Sequence, residues 1–138
     1  MEKIPFISIV IPTTGNVKFI KGLVESVNKL DYPKDKYELI LVGDKKTDLL
    51  ERNAKKANDF GIKTVLKYEP VAAGKKRNIG VELARGEIIA FTDDDTILRK
   101  DWLKNAVKHL EENSTHVGVG GPNFTPREGL PFAKAVGR

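Results

Sequence analysis

The sequence predicts an α/β fold in which a mostly parallel sheet carries helices on both faces. Apolar runs rich in β-branched residues, typical of buried strands, alternate with segments whose apolar residues recur at helical spacing. Such alternation is typical of parallel strands joined by right-handed crossovers. With 138 residues, the chain has the length of one domain.

Four apolar runs are predicted to be strands, and the first of them is stopped by Pro12. The run that ends in Thr92 is predicted to be a buried strand, because polar residues bound an apolar stretch of strand length. The predicted strands are 6–11, 38–42, 64–67 and 88–92.

Four amphipathic segments are predicted to be helices. Asn16 and Asp48 are candidate helix caps, and Gly61 and Gly86 are candidate stops. The predicted helices cover 19–27, 49–60, 74–84 and 101–111. A tail rich in glycine and proline follows, and its composition predicts a loop with an interrupted, partly extended segment.

Composition narrows the possible functions. The chain is 40% hydrophobic and 31% charged, as is ordinary for a globular protein, and no apolar stretch is long enough for a membrane span or a signal peptide. Cytoplasmic residence is therefore expected. The absence of cysteine excludes thiolate metal sites, and the two histidines argue against a multi-histidine zinc centre. A net charge of +5 without clustered aromatic residues predicts no nucleic-acid partner.

Three consecutive carboxylates, Asp93, Asp94 and Asp95, follow the fourth predicted strand. The carboxyl ends of strands in open α/β sheets are where ligands usually bind. Carboxylates this close repel one another unless a cation, a proton or ordered donors intervene. A hard divalent metal that shares its coordination shell with substrate phosphates meets this need. The alternative is a helix cap or an Asx-turn, but the strand context and the other motifs favour a metal-bridged nucleotide.

Asp44 follows the second predicted strand, so it is expected at the same edge of the sheet as the three acids. Taken alone, it is as readily a loop cap as a ligand. Lys75, Lys76 and Arg77 lie at the start of a predicted helix, where the helix dipole disfavours cations. A bound diphosphate would resolve this conflict. A solvated basic face is the alternative for the two lysines, whereas the planar donor fork of Arg77 makes it the better candidate.

The first loop, 12–16, fits neither the G-x-G-x-x-G fingerprint nor a P-loop, because it has a single glycine and no Gly-Lys-Ser/Thr. Together, however, the segments resemble the amino-terminal, nucleotide-sugar-binding part of a family 2 glycosyltransferase with the Rossmann-like GT-A fold. The resemblance runs from residue 7 to about residue 121, in the family's order. It is carried by residues 8–13, Asn16, 37–42, 47–48, 76–80, 84–87, 91–95 and 102–103.

The resemblance implies a base and ribose pocket lined by Pro12 and Thr13. It also implies that Asp44 accepts a hydrogen bond from the base, typically uracil or guanine. The family usually has two acids followed by Gly-Ser after the second strand, and here Gly43 precedes Asp44 and two lysines follow. This departure leaves the base preference and the shape of the loop open.

The resemblance further implies that Arg77 lies near the diphosphate, and the neighbouring Lys76 is predicted to be a nucleotide-binding residue as well. Asp93 and Asp95 match the family's D-x-D metal motif, and Asp93 or Asp94 would lie nearer the ribose. The implied cofactor is Mg²⁺ or Mn²⁺, which would neutralise the diphosphate leaving group. The implied partner is a UDP- or GDP-linked sugar.

In the family, the acceptor site and the catalytic base come later than Arg138. Glu128 lies in roughly the right region for that base, but its flanking residues do not match. We therefore expect a nucleotide-sugar-binding domain over 1–121 and, over 122–138, a loop and helix leading toward a missing acceptor-binding region, as in a fold truncated at its carboxyl end. Four apolar residues there could meet that region, a membrane surface or a second copy of the chain: Leu130, Phe132, Ala133 and Val136.

The function predicted from the sequence is that of a donor-binding domain of a metal-dependent, inverting glycosyltransferase, which transfers a sugar to a hydroxyl acceptor. One alternative is a non-catalytic module that binds a nucleotide sugar or a partner. A nucleotidyltransferase shares the architecture and the metal, but it is disfavoured because the first loop lacks the glycine-rich sequence and following basic residue that such enzymes use.

Overall fold

A computed structural model describes residues 4–14, 18–112 and 118–120 of the chain. Strands and α-helices alternate along the described part, and every pair of neighbouring strands is parallel, as the sequence predicts. A short 3-10 helix at Lys34–Lys36 precedes the second strand. In chain order the elements are β1 (Ile7–Pro12), α1 (Ile20–Asn28), β2 (Tyr37–Gly43), α2 (Asp48–Asp59), β3 (Lys63–Tyr68), α3 (Ala73–Leu83), β4 (Ile88–Phe91) and α4 (Trp102–Glu112).

The sheet has the strand order β3-β2-β1-β4. The chain builds outward from β1 to β3 and then returns, through α3, to place β4 on the other side of β1. The strand order therefore reverses between β1 and β4, and such a switch point opens a crevice at the carboxyl ends of the strands. The register pairs Pro12 with Val42 and Val10 with Phe91, which brings the ends of β1, β2 and β4 together.

Strand burial follows position in the sheet. Every residue of β1 and β2 is buried, because both strands have neighbours on two sides. The prediction that the fourth strand is buried is wrong: three residues of β4 are half-buried, and Phe91 is exposed. The reason is that β4 pairs only with β1 among the described residues.

Helices cover both faces of the sheet, as predicted. On one face Ile79 of α3 packs against Val10 and Val42. On the other face Leu50 of α2 lies against Gly43, and the hydroxyl of Tyr37 donates to a carbonyl of α1 at 2.9 Å. Alternate residues of β1 and β2 therefore face α3, and those between them face α1 and α2.

Helix α2 is capped by Thr47, and the predicted cap, Asp48, is wrong by one position. The Thr47 side chain accepts a hydrogen bond from the Leu50 N–H at 3.1 Å, while Thr47 itself has an extended backbone. Asp48 is instead the first helical residue, where its negative charge interacts favourably with the positive end of the helix dipole. Gly61 follows the helix with a φ of 91°, which confirms the predicted stop.

The predicted stop at Gly86 is wrong. Helix α3 ends at Leu83 and Ala84 is already extended, so Gly86 lies beyond the helix. A Cβ at Gly86 would lie 2.6 Å from the backbone nitrogen of Ser8. Glycine is therefore needed here for the close approach of this loop to β1 rather than for helix termination.

The predicted cap Asn16 lies outside the described residues. Helix α1 begins at Ile20, and its apolar residues on one face are buried, as predicted for Leu23 and Val27. Phe19 is an exception, because its side chain is 54% exposed just before the helix.

The chain divides into two compact units, Met1–Asn105 and Ala106–Arg138. All four strands and the candidate site belong to the first unit. Residues 118–120 have no regular structure, and the predicted boundary after residue 121 stays a prediction, since 121–138 lie outside the described residues. In the part that the structure describes, no helix combines the length and the apolar character needed to cross a membrane.

Candidate functional site

The carboxyl ends of β1, β2 and β4 meet at one edge of the sheet, as the sequence predicts. Thr13, directly after β1, donates its N–H to the carbonyl of Val42 at 2.9 Å. Thr92, directly after β4, donates its N–H to the carbonyl of Val10 at 3.4 Å. These bonds fix the loop that carries Asp44 and the loop that carries the three acids on either side of the end of β1.

Helix α3 connects the acids that follow β2 and β4. The Lys76 ammonium pairs with Oδ1 of Asp44, and the Arg77 guanidinium lies 3.3 Å from Oδ1 of Asp93. Two consecutive residues of one helix thus hold carboxylates that follow two different strands. The two ion pairs lie on either side of β1, because β1 separates β2 from β4 in the sheet.

The close packing of α3 on the sheet positions these cations. A Cβ on Gly80 would lie 2.3 Å from Cγ1 of Val10, so only glycine lets the helix approach β1 this closely. Lys76 precedes Gly80 by four residues and therefore shares its face of the helix. Its side chain is consequently directed at the edge of the sheet, and it is buried, with 5% exposure.

The burial of Lys76 changes the interpretation of the basic helix start. Lys75 is exposed, as a solvated basic face requires, whereas Lys76 is not. Asp44 and Asp93 already compensate two of the three cations, so the conflict with the helix dipole does not by itself require a diphosphate. The pairing of Lys76 with Asp44 was not predicted from the sequence. The only indication in the sequence is the four-residue spacing between Lys76 and Gly80, which places Lys76 on the same face of the helix as a glycine that can pack closely on the sheet.

The three acids form an exposed turn. The Thr96 N–H donates to the carbonyl of Asp93 at 3.3 Å, which places Asp94 and Asp95 at the centre of the turn. Asp93 and Asp95 are exposed, and Asp94 is half-buried. The positive charge of Arg77 beside Asp93 offsets part of the repulsion between this carboxylate and the two acids that follow it.

A divalent metal fits this turn only together with a ligand. Among the described residues, no three histidine or acidic side chains come together as a metal cage. Asp93 and Asp95 offer two hard carboxylates open to solvent, and Mg²⁺ commonly uses one or two carboxylates together with substrate phosphates. The donor set therefore fits a metal that a diphosphate helps to hold.

Pro12 and Thr13 form the buried floor of this edge. Pro12 is the last residue of β1, and Thr13 is 3% exposed. Both residues lie at the end of β1, between the loop of Asp44 and the loop of the three acids, as the predicted pocket-lining role requires. Their side chains are nonetheless almost fully buried. A separate cavity of about 310 Å³ lies between α1 and the segment after the acids, lined in part by Glu25, Lys29 and Ile97; none of the predicted site residues lines it.

Comparison with known proteins identifies the family. Residues 8–135 match the sequence model of glycosyl transferase family 2. The chain belongs to this family. It is 33% identical over 112 residues to the poly(ribitol-phosphate) beta-N-acetylglucosaminyltransferase TarS of Staphylococcus aureus, an alignment that covers 80% of this chain and 20% of TarS. It is 29% identical to a putative teichuronic acid biosynthesis glycosyltransferase, TuaG of Bacillus subtilis, covering 96% of this chain and 52% of TuaG.

Solved structures of family members share the fold. The complex of S. aureus TarS with UDP-GlcNAc superposes with a TM-score of 0.70 at 26% identity, covering 88% of this chain and 38% of that one. The mannosyltransferase PcManGT of Pyrobaculum calidifontis, with GDP-Man and Mn²⁺, gives a TM-score of 0.67 at 29% identity, covering 78% and 33% of the two chains. The predicted family and GT-A architecture are confirmed. The chain spans well under half the length of these structures.

Two predictions concern residues outside the described part of the chain. They are the weak base candidate Glu128 and the apolar residues between Leu130 and Val136 that were predicted to meet a membrane or a second copy. Both stay predictions, as does the cytoplasmic location.

Proposed function

We propose that this chain binds a nucleotide-diphosphate sugar at the carboxyl edge of its sheet, as the donor-binding domain of a metal-dependent, inverting glycosyltransferase. The observation that carries the proposal is the bridge from Asp44 through Lys76 and Arg77 to Asp93, which spans the end of β1 at the switch point of the sheet. A cleft bordered by both signs of charge suits a ligand with hydrogen-bond donors at the base and negative charge at the diphosphate.

Each group has a distinct task in this proposal. Asp44 accepts a hydrogen bond from the base, and Pro12 and Thr13 line the pocket for the base and ribose. Arg77 exchanges its contact with Asp93 for the diphosphate, because the paired oxygens of a negatively charged phosphate match the planar donor fork of arginine. Asp93 or Asp94 then lies nearer the ribose.

Asp93 and Asp95 would hold Mg²⁺ or Mn²⁺. When bound, the metal supplies charge neutralisation for the diphosphate as the bond to the sugar breaks. The complex of PcManGT with GDP-Man and Mn²⁺ supports this assignment by family relationship. Inversion is supported by the name of TarS, which specifies a beta-linked product, because inversion at an α-linked donor gives that linkage.

Nucleotide binding tests the proposal directly. With Mn²⁺ present, UDP or GDP at about a hundred times its dissociation constant should raise the melting temperature by about 5–10 °C, since a ligand specific to the folded state stabilises it. EDTA should remove the metal-dependent part of this shift. No shift with either nucleotide, or an equal shift in EDTA, would refute the metal–nucleotide site.

Asp95→Asn should abolish the metal-dependent part of the shift while leaving the melting temperature of the free protein nearly unchanged, because Asp95 is exposed at the centre of its turn. The matched control is Asp59→Asn, which removes an exposed carboxylate at the far end of α2. Differential scanning fluorimetry of both variants with and without Mn²⁺ measures the effect. Equal loss in the two variants would show that the carboxylate acts only through general surface charge.

Sugar transfer requires a base that activates the acceptor, and this task remains unassigned among the described residues. Donor binding with no hydrolysis or transfer would favour the non-catalytic module. The comparison to make is therefore between nucleotide binding and consumption of UDP- or GDP-sugars by the same preparation.

A further inference from the structure

Two large apolar side chains are exposed on the same side of α1. Phe19, just before the helix, is 54% exposed, and Ile97, shortly after the acid turn, is 64% exposed. A Cβ on Gly22 would lie 2.9 Å from Cδ1 of Ile97, so Ile97 lies directly on α1 at this glycine. Phe19 has helical backbone angles and precedes Gly22 by three residues, which places it on the same side of the helix. Single exposed apolar residues are ordinary, but neighbouring ones on one surface indicate a site of interaction.

The segment that carries Ile97 is fixed on α1. The Leu98 N–H donates a hydrogen bond to Oγ of Ser26 at 3.1 Å, and the carbonyl of Lys100 accepts one from the Asp31 N–H at 2.7 Å. Leu98 is buried, whereas its neighbour Ile97 stays outside the core. The exposed apolar pair is therefore already formed in the folded domain.

Exposed lysines border this apolar pair. The Lys18 ammonium lies 5.8 Å from the centre of the Phe19 ring, and Lys29 and Lys100 line the cavity beside Ile97. A fourth lysine is next to Gly22 on α1. None of the four forms an ion pair with another described residue. We define the α1 patch as Phe19, Ile97, Lys18, Lys21, Lys29 and Lys100.

Positive charge exceeds negative charge around the α1 patch. The hydrogen bond from Lys56, followed by the charges of Lys56, Lys21 and Lys29, holds the pKa of Glu25 below its usual value. Lys56 already pairs with Glu25 at 2.9 Å, so this carboxylate does not neutralise the other two lysines as well. In the nearby acid turn Asp93 pairs with Arg77, which leaves two acids there to oppose the four lysines.

We infer that the α1 patch docks on the surface of an anionic lipid membrane. Phe19 and Ile97 enter the boundary between headgroups and acyl chains, while the lysine ammoniums contact the anionic headgroups and their stems cover apolar surface. A protein partner fits this composition less well, because lysine is depleted in protein–protein interfaces.

The inference goes beyond donor binding and does not depend on it, because no residue of the α1 patch belongs to the proposed donor site. The two surfaces are nevertheless close in the chain. Ile97 follows Asp95 by two residues, and Phe19 lies in the connection from β1 to α1. Docking through the α1 patch therefore holds the candidate donor site close to the lipid.

Sedimentation with lipid vesicles tests the inference. The protein should bind vesicles of equimolar phosphatidylglycerol and phosphatidylcholine at least about tenfold more tightly than vesicles of phosphatidylcholine alone, because each lysine near an anionic surface strengthens binding about fivefold. In about 1 M salt, where the screening length is about 3 Å, this preference should largely disappear.

The apolar part of the α1 patch is tested by the double variant Phe19→Ser/Ile97→Ser. Binding to the anionic vesicles should weaken about tenfold or more, because both apolar side chains that enter the lipid are lost. Val81→Ser/Leu83→Ser is the matched control. It removes two exposed apolar side chains from α3, on the other face of the sheet, and should leave vesicle binding nearly unchanged.

The charged part is tested by the double variant Lys21→Gln/Lys100→Gln, which should also bind the anionic vesicles about tenfold or more weakly. The matched control, Lys63→Gln/Lys67→Gln, removes the same charge from exposed positions of the edge strand β3. Its vesicle binding should stay close to that of the unmodified protein. All four lysines are exposed, so both variants should keep the melting temperature.

Equal binding to the two kinds of vesicle, or equal losses in the patch and control variants, would overturn the inference. Sedimentation velocity without lipid adds a further check. A dimer that Phe19→Ser/Ile97→Ser abolishes, in a protein that binds no vesicles, would assign the patch to a second copy of the chain instead. The nucleotide-induced melting shift of the same preparation reports on the donor site separately, so either proposal can fail while the other stands.

Discussion

Replacing Glu38 by alanine should lower the free energy of unfolding by about 3 kcal/mol. The residue lies near the amino end of β2, at the opposite end of the strands from the candidate site. Glu38 is fully buried, and its Oε2 accepts hydrogen bonds from Ser8 Oγ at 2.7 Å and from the Arg85 N–H at 2.9 Å. Alanine leaves both donors without this acceptor and opens a cavity. The Arg85 guanidinium is more than half exposed, so its own ion pair contributes little.

Urea unfolding measures this effect, with Glu82→Ala as the matched control. Glu82 is an exposed glutamate on α3, and its removal should change stability by no more than about 0.5 kcal/mol. The double variant Glu38→Ala/Ser8→Ala should lose less stability than the sum of the losses in the two single variants, because the two residues share one hydrogen bond. A loss below about 1 kcal/mol for Glu38→Ala would contradict the structural role of this network.

Gly80→Ala should destabilise the domain by about 2 kcal/mol and also weaken nucleotide binding. The new methyl group meets the side chain of Val10, which is fully buried and stiff because it is β-branched. The gain in helix propensity from replacing glycine is smaller than this clash. Relief requires α3 to move away from β1, and that movement carries Lys76 and Arg77 away from Asp44 and Asp93.

The same helix supplies the control for this prediction. A Cβ at Gly74 meets no atom within 4 Å, so Gly74→Ala should leave stability unchanged or slightly raised. Chemical denaturation and the UDP-induced melting shift should both distinguish the two variants. With Val10→Ala already in place, Gly80→Ala should destabilise less than it does alone. Identical behaviour of the two glycine variants would show that the helix is not held by the contact with Val10.

The acids of the candidate site were predictable because strand ends are readable in the sequence. Asp44 and Asp93 each follow an apolar run of strand length, and parallel strands place such ends at one edge. Their convergence beside β1 is confirmed by the register. The metal and nucleotide roles assigned to them rest on the family relationship and stay predictions.

The cations were harder to assign because burial depends on how a helix docks. Helical spacing places Lys76 on the face of Gly80, but only the packing of Gly80 on Val10 brings that face close enough to bury an ammonium against Asp44. Glu38 shows the same limit. It occupies a strand position that looks ordinary, and its burial depends on Ser8 and Arg85, which come from distant parts of the chain.

The order of strands and helices, the family, and the carboxylates that follow β2 and β4 could all be predicted from the sequence, because they depend on local patterns of residues along the chain. The partial exposure of β4, the burial of Lys76 and the contact of Arg77 with Asp93 could be seen only once the elements were packed together. These features depend on which elements become neighbours and how closely they approach, and that distance is set by contacts between residues far apart in the chain.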